Sequence, residues 1–335
     1  MKNNKKLIIL FITIFAILSC SKKEVKNNKE GLNVVSTIFP IYDFTRAIAK
    51  DKVDLSMLVK PGIEIHSYNP TPADIIAVEN SDVFIYIGGE GEAWVEKILD
   101  SIDTNNKKII KLIDNVVALN EEIVEGMQED GHNHDEHEEE VHAEDEHNHN
   151  EEEHHHHHHE AYDEHIWTSP KNAILIVNTI TKALSELDPT NADYYKENAL
   201  SYNKEIAQID VELREVVDNA KRKRIVFGDR FPFRYLAYDY NLEYRAPFSG
   251  CSAQLDIAPK TVTYLLDYIK SNDIPYLYYI ELSNEKIANL LAEQTGAKKL
   301  KLHSGQNVSR EEFNSGVTYI SIMRDNIESL KIGLN

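Results

Sequence analysis

Short apolar runs alternate with amphipathic stretches along the chain from residue 32 onward. The apolar runs are rich in β-branched and aromatic residues and predict strands, whereas the stretches between them have helical periodicity. The run DVFIYIGG (82–89) is apolar throughout, as is typical of a strand buried on both faces. Regular alternation of strands and helices predicts an α/β fold with parallel sheets. Strands are predicted at 33–40, 53–62, 82–89, 107–113, 224–229, 242–250, 274–282 and 297–303.

One helical pattern, over residues 190–222, is much longer than the others. At 1.5 Å per residue it predicts a helix of about 50 Å, which exceeds the width of a small domain. Its apolar spacing is too irregular for a coiled coil, and strand–helix alternation resumes after it. The predicted fold is therefore two parallel-sheet α/β lobes, at 32–189 and 223–335, joined by one long spanning helix.

The segment 120–164 interrupts this pattern with acidic residues and histidines. Nineteen acidic residues and no lysine or arginine lie between Glu121 and Glu164, and twelve of the fifteen histidines lie between His132 and His159. The segment has too few apolar residues to build a core, so it predicts a loose loop. It carries nearly all of the net charge of -20, and the chain has no basic surface that would suit nucleic acid.

The first residues predict export and a lipid anchor. Residues 1–19 have a basic start and an apolar run of twelve residues, followed by Cys20. This run is too short to span a bilayer of about 30 Å and is typical of a signal peptide. We expect Cys20 to be the lipidated first residue of the mature chain and residues 20–31 to be a polar tether. The only other cysteine, Cys251, then has no internal disulfide partner.

Three histidines lie outside the acidic segment: His66, His165 and His303. Each follows a predicted strand or lies at the edge of a loop. Ligands of open α/β sheets bind at the carboxyl ends of the strands. Any one of these residues alone is more typical of an ordinary surface histidine, but the three together indicate a shared site.

Several motifs connect the chain to a known family. From residue 32 to the end, including TIFPIYDFTRAIA, VKPGIEIHSYNPTPADI, DEHIWTSPKNA and YIELSNEKIA, it resembles the substrate-binding lipoproteins of zinc and manganese ABC importers. The resemblance implies two lobes around a rigid helix, with the metal in the cleft between them. It also implies a monomeric, extracytoplasmic zinc-binding protein, held at the membrane by lipid on Cys20, which delivers Zn²⁺ to an ABC permease.

The resemblance also implies most of the metal ligands. His66 matches the family's first metal histidine, and His165 matches the second. Arg230 stands where the family usually has the third histidine, and a guanidinium group cannot bind a cation because it has only donors. Zinc binders of the family often use the carboxylate that corresponds to Glu281, and His303 stands where manganese binders often have an aspartate.

The predicted ligand set is therefore His66 and His165 from the first lobe with Glu281 and His303 from the second lobe. Three imidazoles and one carboxylate suit tetrahedral Zn²⁺, while Mn²⁺ prefers more oxygen ligands. Asp229 and Cys251 remain open as alternative ligands. Arg230 could also pair with Glu281 or Asp229, which would leave a weaker site with three ligands.

Other functions receive less support from the sequence. Manganese import and an adhesin role are alternatives within the same family. A secreted zinc hydrolase is disfavoured, because the sequence has neither an HExxH nor a GxSxG motif. We interpret the loop 131–159 as a zinc collector or sensor beside the site, and a solvated insert without a role in transport is the alternative.

Overall fold

A four-stranded parallel sheet forms the first half of the fold. The computed structural model describes residues 31–65, 68–128, 162–252 and 256–335. The strand order in this sheet is β2-β1-β3-β4, and β3 is buried along its whole length, as its apolar sequence predicts. The strands are β1 (Leu32–Ser36), β2 (Val53–Met57), β3 (Val83–Tyr86) and β4 (Lys108–Lys111).

Helices cover this sheet and follow the predicted start signals. Thr71 caps the second helix through a capping box with Asp74, and Pro72 occupies its first turn. Ser169 caps the fourth helix by accepting a hydrogen bond from the backbone N–H of Asn172. The helices of the first half are α1 (Phe39–Ala49), α2 (Pro72–Glu79), α3 (Trp94–Leu99) and α4 (Pro170–Leu187).

The second half contains shorter parallel strand pairs. Strand β5 pairs with β7, β9 with β10, and β6 with β8, and a single bridge from Phe227 to Tyr278 connects the first two pairs. The strands are β5 (Arg224–Val226), β6 (Arg230–Phe231), β7 (Glu243–Arg245), β8 (Phe248–Ser249), β9 (Tyr276–Tyr279) and β10 (Lys298–Lys301).

The long helix α5 (Ala192–Asp218) separates the two halves in sequence and packs against both. Its buried stripe from Tyr195 to Val217 contacts α1 and α4 of the first half and the last helix of the second half. At 27 residues it is about 40 Å long, shorter than predicted. A separate 3₁₀ turn over Pro189–Asn191 precedes it, and Asn219 ends it.

The predicted fold class, α/β with parallel sheets and one long helix, is confirmed. Residues Leu32–Asn335 form one compact unit, and the domain limits at 189 and 222 remain predictions. In the described part of the chain, no helix combines the length and the apolar character needed to cross a bilayer. The signal peptide, Cys20, His66 and the loop 131–159 lie outside the described residues.

Two elements of the second half differ from the expectation. The family resemblance places Arg230 at the opening of a helix, but Arg230 lies in the short strand β6 and the helix begins only at Arg234, after Pro232. A short helix at Arg310–Asn314 has no counterpart in the predicted elements. The remaining helices are α6 (Arg234–Tyr240), α7 (Pro259–Ser271), α8 (Lys286–Thr295), α9 (Arg310–Asn314) and α10 (Tyr319–Gly333).

Candidate metal site

A small cavity lies between loops of the two halves. Its volume is about 20 Å³, and its walls include Glu64 from the first half and Arg230, Glu281 and Asn307 from the second half. A space of about 10–15 Å³ is enough for one water molecule. The cavity therefore has room for a single ion or water molecule.

The first-half loop that reaches this cavity is fastened to the second half. The side-chain amide of Asn307 donates hydrogen bonds to the carbonyls of Lys60 and Ile63, at 2.9 and 2.7 Å. Ile65, the residue before His66, is part of the cavity wall. His66 itself lies outside the described residues, so its role as a ligand remains a prediction.

His165 is fully buried at the start of a 3₁₀ turn, Ile166–Thr168. A tyrosine from the second half holds the segment before this turn: the Tyr235 hydroxyl donates to the carbonyl of Asp163 at 2.7 Å and accepts the N–H of Leu119 at 3.1 Å. The backbone around His165 is therefore fixed by contacts between the two halves.

The imidazole ring of His165 has one nitrogen held and the other available. Its Nδ1 lies 3.1 Å from Asp163 Oδ1, and its backbone N–H donates to the same oxygen at 2.8 Å. Because a carboxylate only accepts, Nδ1 carries the proton, and in the neutral ring Nε2 has a lone pair. Nε2 is buried without a hydrogen-bond partner among the described residues. A carboxylate behind one ring nitrogen is a common arrangement for metal-binding histidines.

The charges around His165 act in opposite directions on its pKa. Burial lowers the pKa of the imidazole, but the charge and hydrogen bond of Asp163, together with the charges of Glu164 and Glu121, outweigh this effect and the net pKa is raised. The neighbouring Glu164 is also buried, and burial, together with the charge of Glu92, raises its pKa to about 7. One carboxyl oxygen of Glu164 accepts the N–H of Gly91 at 2.8 Å.

Glu281 follows β9 and is held by the loop after β10. Its carboxylate accepts the backbone N–H of Ser304 at 2.7 Å and the Ser304 hydroxyl. The carbonyl of the same serine accepts the indole N–H of Trp167 at 2.8 Å. Trp167 is two residues from His165, so Ser304 connects the loop that carries Glu281 to the segment that carries His165.

His303 is buried beside Glu281, and its Nδ1 lies 3.5 Å from Glu281 Oε2. The N–H of Gly305 donates to this Nδ1 at 3.0 Å. The other nitrogen, Nε2, is 3.8 Å from Glu312 Oε1. This nitrogen has no hydrogen-bond partner among the described residues, but the neighbouring His303 ring, together with the N–H and hydroxyl of Ser309, holds the pKa of Glu312 well below its usual range. A metal at His303 must therefore either displace the Gly305 hydrogen bond or approach from the side of Glu312.

Arg230 joins two loops instead of binding metal. Its guanidinium donates to the carbonyl of Ser252 and to a carboxylate oxygen of Glu64, both at 3.2 Å. Only 8% of Arg230 is exposed. The sequence left open a pair with Glu281 or Asp229, but among the described carboxylates its ion pair is with Glu64. Asp229 Oδ1 accepts the backbone N–H of Arg230 at 2.9 Å.

Cys251 lies two residues after β8, beside the His165 segment. Ligand atoms of Asp163, His165 and Cys251 all lie within 4.8 Å of one another. The Cys251 N–H donates to Glu121 Oε1 at 3.1 Å. Burial raises the pKa of the thiol well above its usual value, and the nearby Glu164 carboxylate adds to this effect.

The described residues thus form two groups of possible ligands. Glu281 and His303 are paired, and His165 lies with Asp163 and Cys251. Across the described ranges, no other group of three or more such side chains is gathered this closely, so the full predicted set remains a prediction. Sequence reasoning missed Asp163, although its position two residues before His165 is a usable signal for a partner of the ring.

Residues 34–333 match the family model described as "Zinc-uptake complex component A periplasmic". The chain belongs to this family. The match spans both halves of the fold and all four predicted metal ligands. The expected family resemblance is therefore confirmed over nearly the whole chain.

Two relatives illustrate the range of chain lengths in the family. The zinc-binding lipoprotein AdcA of Streptococcus pneumoniae (strain ATCC BAA-255 / R6) is 31% identical over 333 residues, which is 98% of this chain but 60% of that relative. The chain thus spans less than two thirds of the streptococcal protein. The high-affinity zinc uptake system protein ZnuA of Bacillus subtilis (strain 168) is 30% identical and matches over 98% of this chain and 97% of its own length.

Solved structures are similar across the whole fold. The Zn(II)-bound ZnuA-like domain of Streptococcus pneumoniae AdcA has a TM-score of 0.70 at 28% identity, covering 91% of this chain and 99% of that domain. The metal-dependent lipoprotein YcdH of Bacillus subtilis also has a TM-score of 0.70, at 27% identity, covering 90% of this chain and 99% of that one.

Proposed function

We propose that this chain captures a single Zn²⁺ outside the cytoplasm and delivers it to an ABC-type permease. The observation that carries the proposal is the buried, unpartnered Nε2 of His165, with Asp163 behind the opposite nitrogen. An imidazole oriented in this way binds a divalent cation without reorganising its surroundings. The names of the zinc-binding AdcA and ZnuA relatives support zinc as the cargo.

The proposed ligands are His66, His165, Glu281 and His303, with Asp229 and Cys251 as alternatives. The ion-sized cavity between the halves supports one cation per chain. A closed shell of four protein ligands has no position for a reacting water, so we infer a binding protein and not an enzyme. Nitrogen-rich ligands favour Zn²⁺ over Mn²⁺.

The proposed setting of the protein follows from its first residues. Lipid on Cys20 would hold the mature chain at the outer face of the membrane, as a monomer beside its permease. The packing of α5 against both halves supports small movements on metal release instead of a wide hinge. We further propose that the histidines of 131–159 collect zinc near the site, since their imidazoles and the surrounding carboxylates attract cations.

Zinc titration by calorimetry tests this function. A chain lacking residues 131–159 is expected to bind one Zn²⁺ tightly, and the full chain is expected to show additional, weaker sites. His165→Ala and Glu281→Ala in the shortened chain should each remove the tight site. Glu186→Ala is the matched control, because this carboxylate is exposed on α4 and does not line the cavity.

Two results would contradict the proposal. Retention of the tight site in His165→Ala, with an affinity equal to that of the Glu186→Ala control, would remove His165 from the shell and with it the proposed cargo site. A full chain that binds no more zinc than the shortened chain would contradict the collecting role of the loop.

A further inference from the structure

We propose that the thiolate of Cys251 is a zinc ligand that takes the place of the histidine lost at Arg230, and that it selects Zn²⁺ over Mn²⁺. This inference rests on the proposed function, because it assigns a ligand of the same cargo site. It changes the chemistry of the site from nitrogen and oxygen donors to a mixed site that contains sulfur.

The position of the sulfur carries the proposal. Cys251 Sγ and a ring nitrogen of His165 lie within 4.8 Å of each other, in the one close group of metal-binding side chains among the described residues. Two ligands of one tetrahedral zinc are roughly 3.5 Å apart, given Zn–N and Zn–S bonds of about 2.1 and 2.3 Å. The sulfur and the imidazole nitrogen are therefore at most about 1.3 Å farther apart than two ligands of one zinc ion.

A second observation independently points to a missing partner of the His165 ring. Nε2 of His165 is fully buried and has no hydrogen-bond partner among the described residues. A buried polar atom without a partner costs free energy, and a bound cation would remove this cost. Asp163 is better placed as the partner of Nδ1 than as a ligand, because its Oδ1 already accepts from both the ring and the backbone N–H of His165.

The arginine that replaced the histidine positions the cysteine. Arg230 donates to the carbonyl of Ser252, the residue directly after Cys251, and to Glu64, two residues before His66. The backbone N–H of Cys251 is held by Glu121. Arg230 thus braces the cysteine loop against the loop that leads to His66, although its own side chain cannot bind a cation.

The other candidate for the vacated ligand position is less well placed. Asp229 Oδ1 accepts the N–H of Arg230. Its Oδ2 is buried without a hydrogen-bond partner among the described residues, but Asp229 is not part of the close group around His165. Gly250 leaves space at the ring, because a β-carbon there would lie 3.0 Å from His165 Cε1. The residue before Cys251 therefore lets this loop approach the imidazole.

Binding of Zn²⁺ to Cys251 involves the loss of one proton and no change of oxidation state. The Sγ–H bond breaks, the proton leaves to solvent, and the sulfur lone pair forms the bond to Zn²⁺ without any oxidation or reduction. A thiolate is a soft ligand that favours Zn²⁺, whereas Mn²⁺ favours carboxylate and water. Cys251 would therefore discriminate between the two cations.

The test uses the full chain with Cys20→Ser, in which Cys251 is the sole thiol. Co²⁺ replaces zinc as a spectroscopic probe, because a thiolate ligand gives a sulfur-to-cobalt charge-transfer absorption that the histidine-rich loop cannot produce. We expect this absorption at one equivalent per chain, and its loss in Cys251→Ser. We also expect zinc to slow alkylation of Cys251 by iodoacetamide at least about tenfold, because the metal engages the sulfur lone pair that would attack the reagent.

A further variant tests selectivity. Cys251→Asp keeps a metal-binding side chain at this position but replaces the soft sulfur donor with a hard carboxylate oxygen. The ratio of zinc affinity to manganese affinity should therefore fall by about tenfold or more. Absence of the charge-transfer absorption would overturn the proposal, even if zinc slowed alkylation by closing the site. Failure of the proposed function would give a different result, because His165→Ala would then leave the tight zinc site intact. If only the assignment of Cys251 fails, zinc binding will still depend on His165 but will not depend on Cys251.

Discussion

The two described histidines of the proposed site differ in how their rings are held. Nδ1 of His165 donates a hydrogen bond to Asp163, and Nε2 has no hydrogen-bond partner among the described residues. In His303, Gly305 donates to Nδ1, the nitrogen that faces Glu281. Nε2 of His303 also has no hydrogen-bond partner among the described residues, but the donor at Nδ1 places the ring proton on Nε2. The first ring is therefore prepared for a cation, whereas the second must lose a hydrogen bond or shift its proton before it binds one. Two buried histidines of one proposed site therefore need not contribute equally to the affinity for zinc.

The largest expected effect separates these two rings. His303→Ala should weaken zinc binding by about 100-fold if His303 is a ligand, and His165→Ala should weaken it at least about tenfold more. The reason is that Asp163 holds the ring proton of His165 on Nδ1 and leaves a lone pair on Nε2, whereas Gly305 donates to Nδ1 of His303 and so places the ring proton of His303 on Nε2. Calorimetry on the chain without residues 131–159 measures the zinc affinity of both variants. An unchanged affinity in His303→Ala would remove this residue from the shell.

The Asp163 carboxylate should have a smaller effect on affinity. Asp163→Asn keeps the size of the side chain but removes the charge behind the His165 ring, and loss of such a partner typically weakens metal binding by 10–100-fold. Asp239→Asn is a suitable control, because it lies on α6 and bonds Ser169 and Lys171 instead of His165. If the two variants bind zinc equally well, the carboxylate does not prepare the ring.

The smallest effect concerns stability. Burial raises the pKa of Glu164 in the folded protein to about 7, from an ordinary value of 4.5. The folded state therefore holds this proton more tightly than the unfolded state does, and the free energy of unfolding falls as pH rises from about 4.5 to about 7. At roughly 1.4 kcal/mol per pKa unit the loss is about 3 kcal/mol.

Glu164→Gln removes this ionisation and keeps an oxygen for the N–H of Gly91. With a chelator present to remove zinc, the free energy of unfolding of the Glu164→Gln variant should exceed that of the parent chain by the largest amount at pH 8. The difference between the two free energies should disappear near pH 4. Chemical denaturation at several pH values measures this. A difference that is constant with pH would show that folding does not raise the pKa of Glu164.

The sequence was a good guide to the fold for a definite physical reason. Apolar runs such as VFIY of β3 must be buried on both faces, and the helix caps at Thr71 and Ser169 are local signals. The end of α5 at Asp218 was harder to predict, because the residues after it remain compatible with a helix. Tertiary packing decides such boundaries.

The candidate site was only partly predictable. Glu281 and His303 lie together, as residues at the ends of the adjacent strands β9 and β10 should. The neighbourhood of Cys251 and His165 depends on contacts between residues far apart in sequence, such as Tyr235 with Asp163. No local pattern reports such a contact. The ion pair of Arg230 with Glu64 likewise spans 166 positions of the chain.

Anomalous X-ray diffraction at the zinc edge, on crystals of the zinc-loaded chain without residues 131–159, tests the central claim most directly. The account predicts one strong peak in the cleft, about 2.0–2.1 Å from Nε2 of His165 and bound as well by at least one side chain of the second half. A peak at the surface only, or one bound by side chains of a single half, would contradict it.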